Sequence, residues 1–94
     1  MRGAVRLGDY STGHDGYPQR PSITASDDTL INGRGQVRIA DYWATHCHRK
    51  KCHDGTQSEG STTVFINGRG AARQGDLISC NDHANECSPD VFLD

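Results

Sequence analysis

SDDTLINGRGQVRIAD, residues 26–41, decides the fold, because the chain contains it twice. Thirty-five residues later comes STTVFINGRGAARQGD, residues 61–76, identical at eight of sixteen positions and sharing the run INGRG. In both copies a β-prone stretch, Leu30-Ile31 or Val64-Phe65-Ile66, runs into Asn-Gly. That pair is the strongest two-residue hairpin signal, since both turn positions need φ > 0. Each copy therefore predicts a β-hairpin, with Val37-Arg38-Ile39 or Ala71-Ala72-Arg73 as the returning strand. Gly35 and Gly70 are expected at a bulge or a close backbone approach. A truncated third copy, AVRLGD (4–9), aligns with QVRIAD (36–41) and AARQGD (71–76). All three copies place Arg6, Arg38 or Arg73 three residues before Asp9, Asp41 or Asp76. Two full copies are too few for a solenoid, so the repeat reads as pseudo-symmetry inside one compact all-β domain. The 10–14 residues after each aspartate read as irregular loops, and no segment has an amphipathic helical period.

With 94 residues there is room for one domain, residues 1–94, of which residues 83–94 read as a short C-terminal tail. Leu, Ile, Val and Phe together number only 15, yet the net charge is −2 and there are eleven glycines. That balance describes a folded, turn-rich chain that is short of core and needs a staple. No apolar run follows the early arginine, so no signal peptide is expected, and no stretch approaches the length of a membrane span. Synthesis in the cytoplasm is the expectation. In that compartment four cysteines mixed with five histidines read first as metal ligands.

The repeat places those ligands. His14 lies five residues after Asp9, His46 five after Asp41, and Cys80 four after Asp76. His53, within THCHRKKCHD (45–54), adds a fourth. Three imidazoles and one thiolate suit a closed tetrahedral Zn²⁺ site, and Fe²⁺ fits the same set. Cys47, His48, Cys52, His83 and Cys87 compete as ligands. A Cys47–Cys52 or Cys52–Cys87 disulfide is the alternative staple.

Taken in order, these segments resemble the PAAR-repeat family. INGRGAARQGD (66–76), INGRGQVRIAD (31–41) and RGAVRLGD (2–9) resemble its eponymous repeat. STGHDGYPQRPSI (11–23), THCHRKKCH (45–53) and GDLISC (75–80) resemble its histidine and cysteine loops. The eponymous proline is glycine here, and Gln36-Val37 replaces Ala-Ala in one copy. The tail 81–94 matches no part of the pattern. The resemblance implies a small pseudo-threefold cone of short β-hairpins with metal-pinned loops. It implies a tip that caps the trimeric β-helical spike of a type VI secretion machine or contractile phage tail. One tip would sit on each trimer and meet the target envelope transiently as the spike punctures it, aboard a virion or a secreted spike. With few residues beyond the motif, a bare tip without a toxin domain is expected.

Other classes find less support. His14-Asp15 beside Ser11 lacks the context of a hydrolase triad, so no catalytic residue, enzyme activity or small-molecule substrate is expected. Asp15 is either solvated or a partner that orients an imidazole. Arg49-Lys50-Lys51 has no interleaved aromatics or recognition helix, which argues against specific nucleic-acid binding. A small zinc-ribbon-like adaptor that binds protein or nucleic acid is the competing reading. The Arg/Asp pairs are either intradomain ion pairs or interface groups, and Trp43 is expected in the core.

Overall fold

The computed structural model describes residues 1–94, in which ten short strands pair into five two-stranded antiparallel sheets. In chain order they are β1 (Arg2–Gly3), β2 (Leu30–Ile31), β3 (Arg34–Gly35), β4 (Tyr42–His48) and β5 (Lys51–Thr56). Then follow β6 (Phe65–Ile66), β7 (Arg69–Gly70), β8 (Leu77–Ile78), β9 (Asp82–His83) and β10 (Phe92–Leu93). A 3-10 turn at Ser79–Asn81 is the sole helical element, so the chain is all-β and no helix is long and apolar enough to cross a membrane. The molecule is elongated, with extents of 37 × 23 × 23 Å.

Both predicted hairpins form. Asn32-Gly33 and Asn67-Gly68 turn with φ of 53° and 80°, and 53° and 79°. These are values that asparagine and glycine reach at least cost. Gly35 and Gly70 sit at a close approach: an added Cβ would overlap the Ser26 and Ser61 carbonyls respectively.

Three expectations are corrected. The returning strands are Arg34–Gly35 and Arg69–Gly70, not residues 37–39 and 71–73. The latter segments instead cross to neighbouring repeats: Arg38 bridges Ala71, and Ala4 bridges Arg73. The region after Asp41 is not an irregular loop. It is β4 and β5, the longest hairpin of the chain, closed by a turn at Arg49-Lys50. Thirdly, residues 83–94 are not a tail. Phe92–Leu93 pairs with Arg2–Gly3 in the register that Phe65–Ile66 holds on Arg69–Gly70.

The chain ends thus complete the third repeat. The Ser88 hydroxyl accepts the Asp90 and Val91 amides, as Ser26 does for Asp28 and Thr29, and Ser61 for Thr63 and Val64. Asp94 takes the place of Asn32 and Asn67. Arg6 donates to Asn32 at 3.0 Å, Arg38 to Asn67 at 2.9 Å and Arg73 to Asp94 at 3.1 Å.

The pseudo-threefold axis carries a closed ring of backbone hydrogen bonds. Val5 N–H donates to Ala72 at 3.1 Å, Ala72 to Val37 at 2.8 Å and Val37 to Val5 at 2.9 Å. Gln36 stands where the other copies have Ala4 and Ala71. Its amide Nε2 lies on the ring, 2.8–3.1 Å from the same three carbonyl oxygens. One glutamine fills the space that three symmetric copies would contest.

The motif arginines and aspartates are intradomain pairs. Arg6 grips Asp9, Arg38 grips Asp41 and Arg73 grips Asp76, each through two side-chain bonds. A neighbouring repeat adds a second arginine: Arg34 to Asp9, Arg69 to Asp41 and Arg2 to Asp76, at 2.7–3.1 Å. Burial works against charge on Asp41, but the bonds from Arg38 prevail and hold its carboxyl below the usual range.

The apolar core is small, as the composition requires. Val5, Val37, Trp43, Ala72, Ile78 and Ala84 form its cluster. Trp43 is fully buried, with its indole N–H donating to Gln57 at 3.0 Å. Thirteen buried polar or charged side chains outnumber eight buried apolar ones, so satisfied polar contacts carry much of the interior.

Candidate metal centre

Three histidines, His14, His46 and His53, converge at one point. His14 precedes the Asp15-Gly16 turn, whose φ values of 45° and 85° bring the chain back at Tyr17. His46 and His53 face each other across β4 and β5. The three Nε2 atoms form a triangle: His14 to His46 3.1 Å, His14 to His53 3.1 Å, His46 to His53 2.8 Å.

Their second ring nitrogens explain what the triangle wants. His46 Nδ1 lies 2.8 Å from the Pro18 carbonyl, which can only accept, so His46 must carry its proton there. His14 Nδ1 lies 3.3 Å from the Asp15 carboxylate, which imposes the same tautomer. Asp15 is thus an orienting partner of His14. The Nε2 atoms of His14 and His46 therefore present lone pairs to each other, and His53 has one N–H at most to place between them. Burial, the largest cause, holds both His46 and His53 below the usual imidazole range and keeps them neutral at pH 7. Neutral imidazole lone pairs aimed at one point are the donor set of a divalent transition metal. The edges of 2.8–3.1 Å lie close to the roughly 3.3 Å expected between ligands of a tetrahedral ion with bonds near 2.0 Å. The residues fit the ion.

Of the four ligands expected from sequence, the fold brings together His14, His46 and His53 and leaves Cys80 outside the cluster. Cys80 is a free, exposed thiol at φ 66° in the Ser79–Asn81 turn. That turn packs on β5, the strand of His53, and the Ser79 hydroxyl accepts the Thr56 amide at 3.0 Å. None of the competing ligands joins the cluster, although the His48 ring packs on Gly16 with its centroid 5.7 Å from that of Tyr17. Cys47 and Cys52 are joined to each other in a disulfide. His83 is exposed on β9, and Cys87 is packed against Gly3, where burial pushes its thiol up.

Two contributors escaped the sequence reading. The Tyr17 ring stacks on the cluster, with centroids 4.3 Å from His53, 4.8 Å from His46 and 5.0 Å from His14. Its place three residues after His14, across a Asp-Gly turn, was the available signal. Beneath the histidines lies a buried ion pair: Arg20 Nε donates to Asp82 at 3.1 Å, and both side chains are essentially inaccessible. Asp82 is also bonded by the Thr12 hydroxyl and the His83 amide. No local pattern connects residues so far apart in sequence.

Comparison with curated proteins gives no match. The PAAR motif family model matches residues 12–92 of the 94. With that span matched and three repeats closed around one axis, the chain belongs to the PAAR-motif family, the spike-tip proteins of contractile injection systems.

Proposed function

We propose that this chain is the non-enzymatic, metal-stabilised tip of a contractile phage tail or type VI secretion spike, one molecule capping a trimeric β-helical spike. The observation that carries this reading is the base of the cone. Leu30, Phe65 and Phe92 occupy equivalent positions in the three hairpins, and they are 57%, 59% and 49% exposed. A chain so poor in apolar residues spends three large ones at one symmetric level, where they are solvated. A true trimer is the partner that would meet all three alike. The short hairpin edges beside them offer backbone groups for strand addition.

At the opposite end the ion would be Zn²⁺, or Fe²⁺, held by His14, His46 and His53. Cys80 is proposed as the fourth ligand, since its thiol is reduced and its turn packs on β5. The bound ion would tie the Tyr10–Arg20 region to both strands of the apical hairpin and so stiffen the end that meets the target envelope. Nothing favours the zinc-ribbon-like adaptor, because Cys47 and Cys52 bond to each other rather than forming a ligand knuckle.

The test is co-purification of the tip with its trimeric spike. Wild type should be retained, and Leu30→Asp and Phe92→Asp should be lost while keeping wild-type circular dichroism and metal content. Full retention of both folded variants would reject the base as the docking face.

A further inference from the structure

We propose that the Cys47–Cys52 disulfide is a positioning device for the metal centre, so that oxidation of the apical hairpin sets how tightly the ion is held. This rests on the metal reading above and extends it to residues outside the ligand set.

On β4 and β5 the pair His46↔His53 is followed immediately by Cys47↔Cys52, then His48↔Lys51. Side chains alternate across a strand, so the disulfide lies on the opposite face from the two imidazoles. It therefore neither fills the site nor competes for the ion. It is the covalent link nearest to the two ligands.

On the histidine face the register of β4 on β5 is held by the Pro18 carbonyl and the Tyr17 ring, but on the other face the disulfide is the one side-chain link. The ladder shifts register between Trp43 and His46, so the apical pairs stand in a register of their own beyond that shift. Beyond it Thr45, Cys47, Arg49, Lys50, Lys51, Cys52 and Asp54 are all exposed. A strand pair that is polar on both faces is prone to slip. The turn works against itself too, since Arg49 and Lys50 have φ of 49° and 69° with neither glycine nor asparagine to ease it. A slip of one residue would carry His53 to the other face and open the Nε2 triangle. The disulfide forbids that slip.

The chemistry needs an external oxidant, here a small-molecule disulfide such as oxidised glutathione. The thiolate of one cysteine attacks it and forms a mixed disulfide. The thiolate of the other then displaces the remaining half. Two protons and two electrons pass to the oxidant, which leaves as two thiols. By linkage the effect is reciprocal: if oxidation tightens the ion, the ion favours oxidation by the same factor.

The experiment measures Zn²⁺ affinity of the full chain by competition with a chromophoric chelator. It compares oxidised wild type, wild type reduced with a phosphine, and Cys47→Ser/Cys52→Ser. Reduction and the serine pair should each weaken binding by about 5- to 150-fold, the usual range of such coupling. A companion titration sets wild type at fixed glutathione redox ratio, where added Zn²⁺ should raise the oxidised fraction. That measurement stands even if the serine variant folds poorly. Affinities within about threefold across the three samples, or an oxidised fraction indifferent to Zn²⁺, would overturn the proposal and leave the metal centre intact. Tighter binding on reduction would also overturn it, by showing the thiols as ligands. Failure of oxidised wild type to bind Zn²⁺ at all would instead sink the metal reading itself.

Discussion

Gln36 offers the sharpest test of the closed threefold axis. Its buried amide nitrogen has two hydrogens and three acceptors, the carbonyls of Val5, Val37 and Ala72. Each carbonyl also receives a backbone N–H from the ring, so Gln36→Ala orphans no acceptor. The loss is then two shared hydrogen bonds, about 1 kcal/mol each, plus a small void. The backbone itself accepts alanine, because Ala4 and Ala71 stand at the same place in the other repeats. The expected cost is about 2–3 kcal/mol, and each kcal/mol lowers Tm by about 4–8 °C in a domain of this size. Gln36→Glu should be worse, because a carboxylate there faces three acceptors and has no donor. At pH 7 it should cost about 3–5 kcal/mol, as an uncompensated buried charge does. Burial raises the folded-state pKa of the new carboxyl above its unfolded value, so its protonated form donates and stability recovers as pH falls towards 4. Urea unfolding at pH 7 and pH 4.5, with each variant read against wild type at the same pH and the same metal content, measures both. Equal stability of the two variants at pH 7, or a pH-independent gap, would refute an amide donor at the axis.

Four further outcomes are expected. Asp82→Ala leaves Arg20 buried without its counter-charge and should cost about 3–5 kcal/mol in urea unfolding; a loss below 1 kcal/mol would refute the pair's role. In acid, the depressed carboxyls of Asp41 and Asp82 contribute stability above their unfolded value of 3.8 that is lost as pH falls through their folded values. Metal-free protein should weaken earlier, as pH falls below the unfolded histidine value of 6.5, because His46 and His53 resist protonation in the fold; a pH titration of Tm with and without chelator separates the windows. Elemental mass spectrometry should find about one zinc or iron per chain, the closed-site expectation, lost in His14→Ala, His46→Ala and His53→Ala and weakened in Cys80→Ala; full retention in Cys80→Ala would remove it from the site.

The parts of the fold legible in sequence were those written in local chemistry. Asn-Gly twice at one offset marked two hairpins, and the Arg-x-x-Asp spacing marked the charged groups without deciding between ion pairs within the domain and interface groups. The spacing from Asp9, Asp41 and Asp76 singled out His14, His46 and Cys80; the fold brings the first two to His53 and leaves Cys80 outside the cluster. What escaped was non-local or disguised. The third repeat is split across the chain ends, and SPDVFL (88–93) parallels STTVFI (61–66) only once Pro89 is accepted at a turn. The β4–β5 hairpin escaped because its apical half is polar on both faces, with no alternation, and Arg49-Lys50 carries no turn signature. Its cysteines read first as ligands, with a Cys47–Cys52 disulfide as one alternative staple, and register sets those two opposite each other in that bond. Arg20 and Asp82 are 62 residues apart and meet only in the closed fold.

In the proposed assembly one chain presents three near-equal faces to one trimer. Native mass spectrometry of the tip co-expressed with its trimeric spike tests it most directly. The expected species is a complex of one tip and three spike chains, with none carrying a second or third tip on that end. A complex with three tips per trimer, or a folded, metal-loaded tip that never joins the trimer, would contradict it.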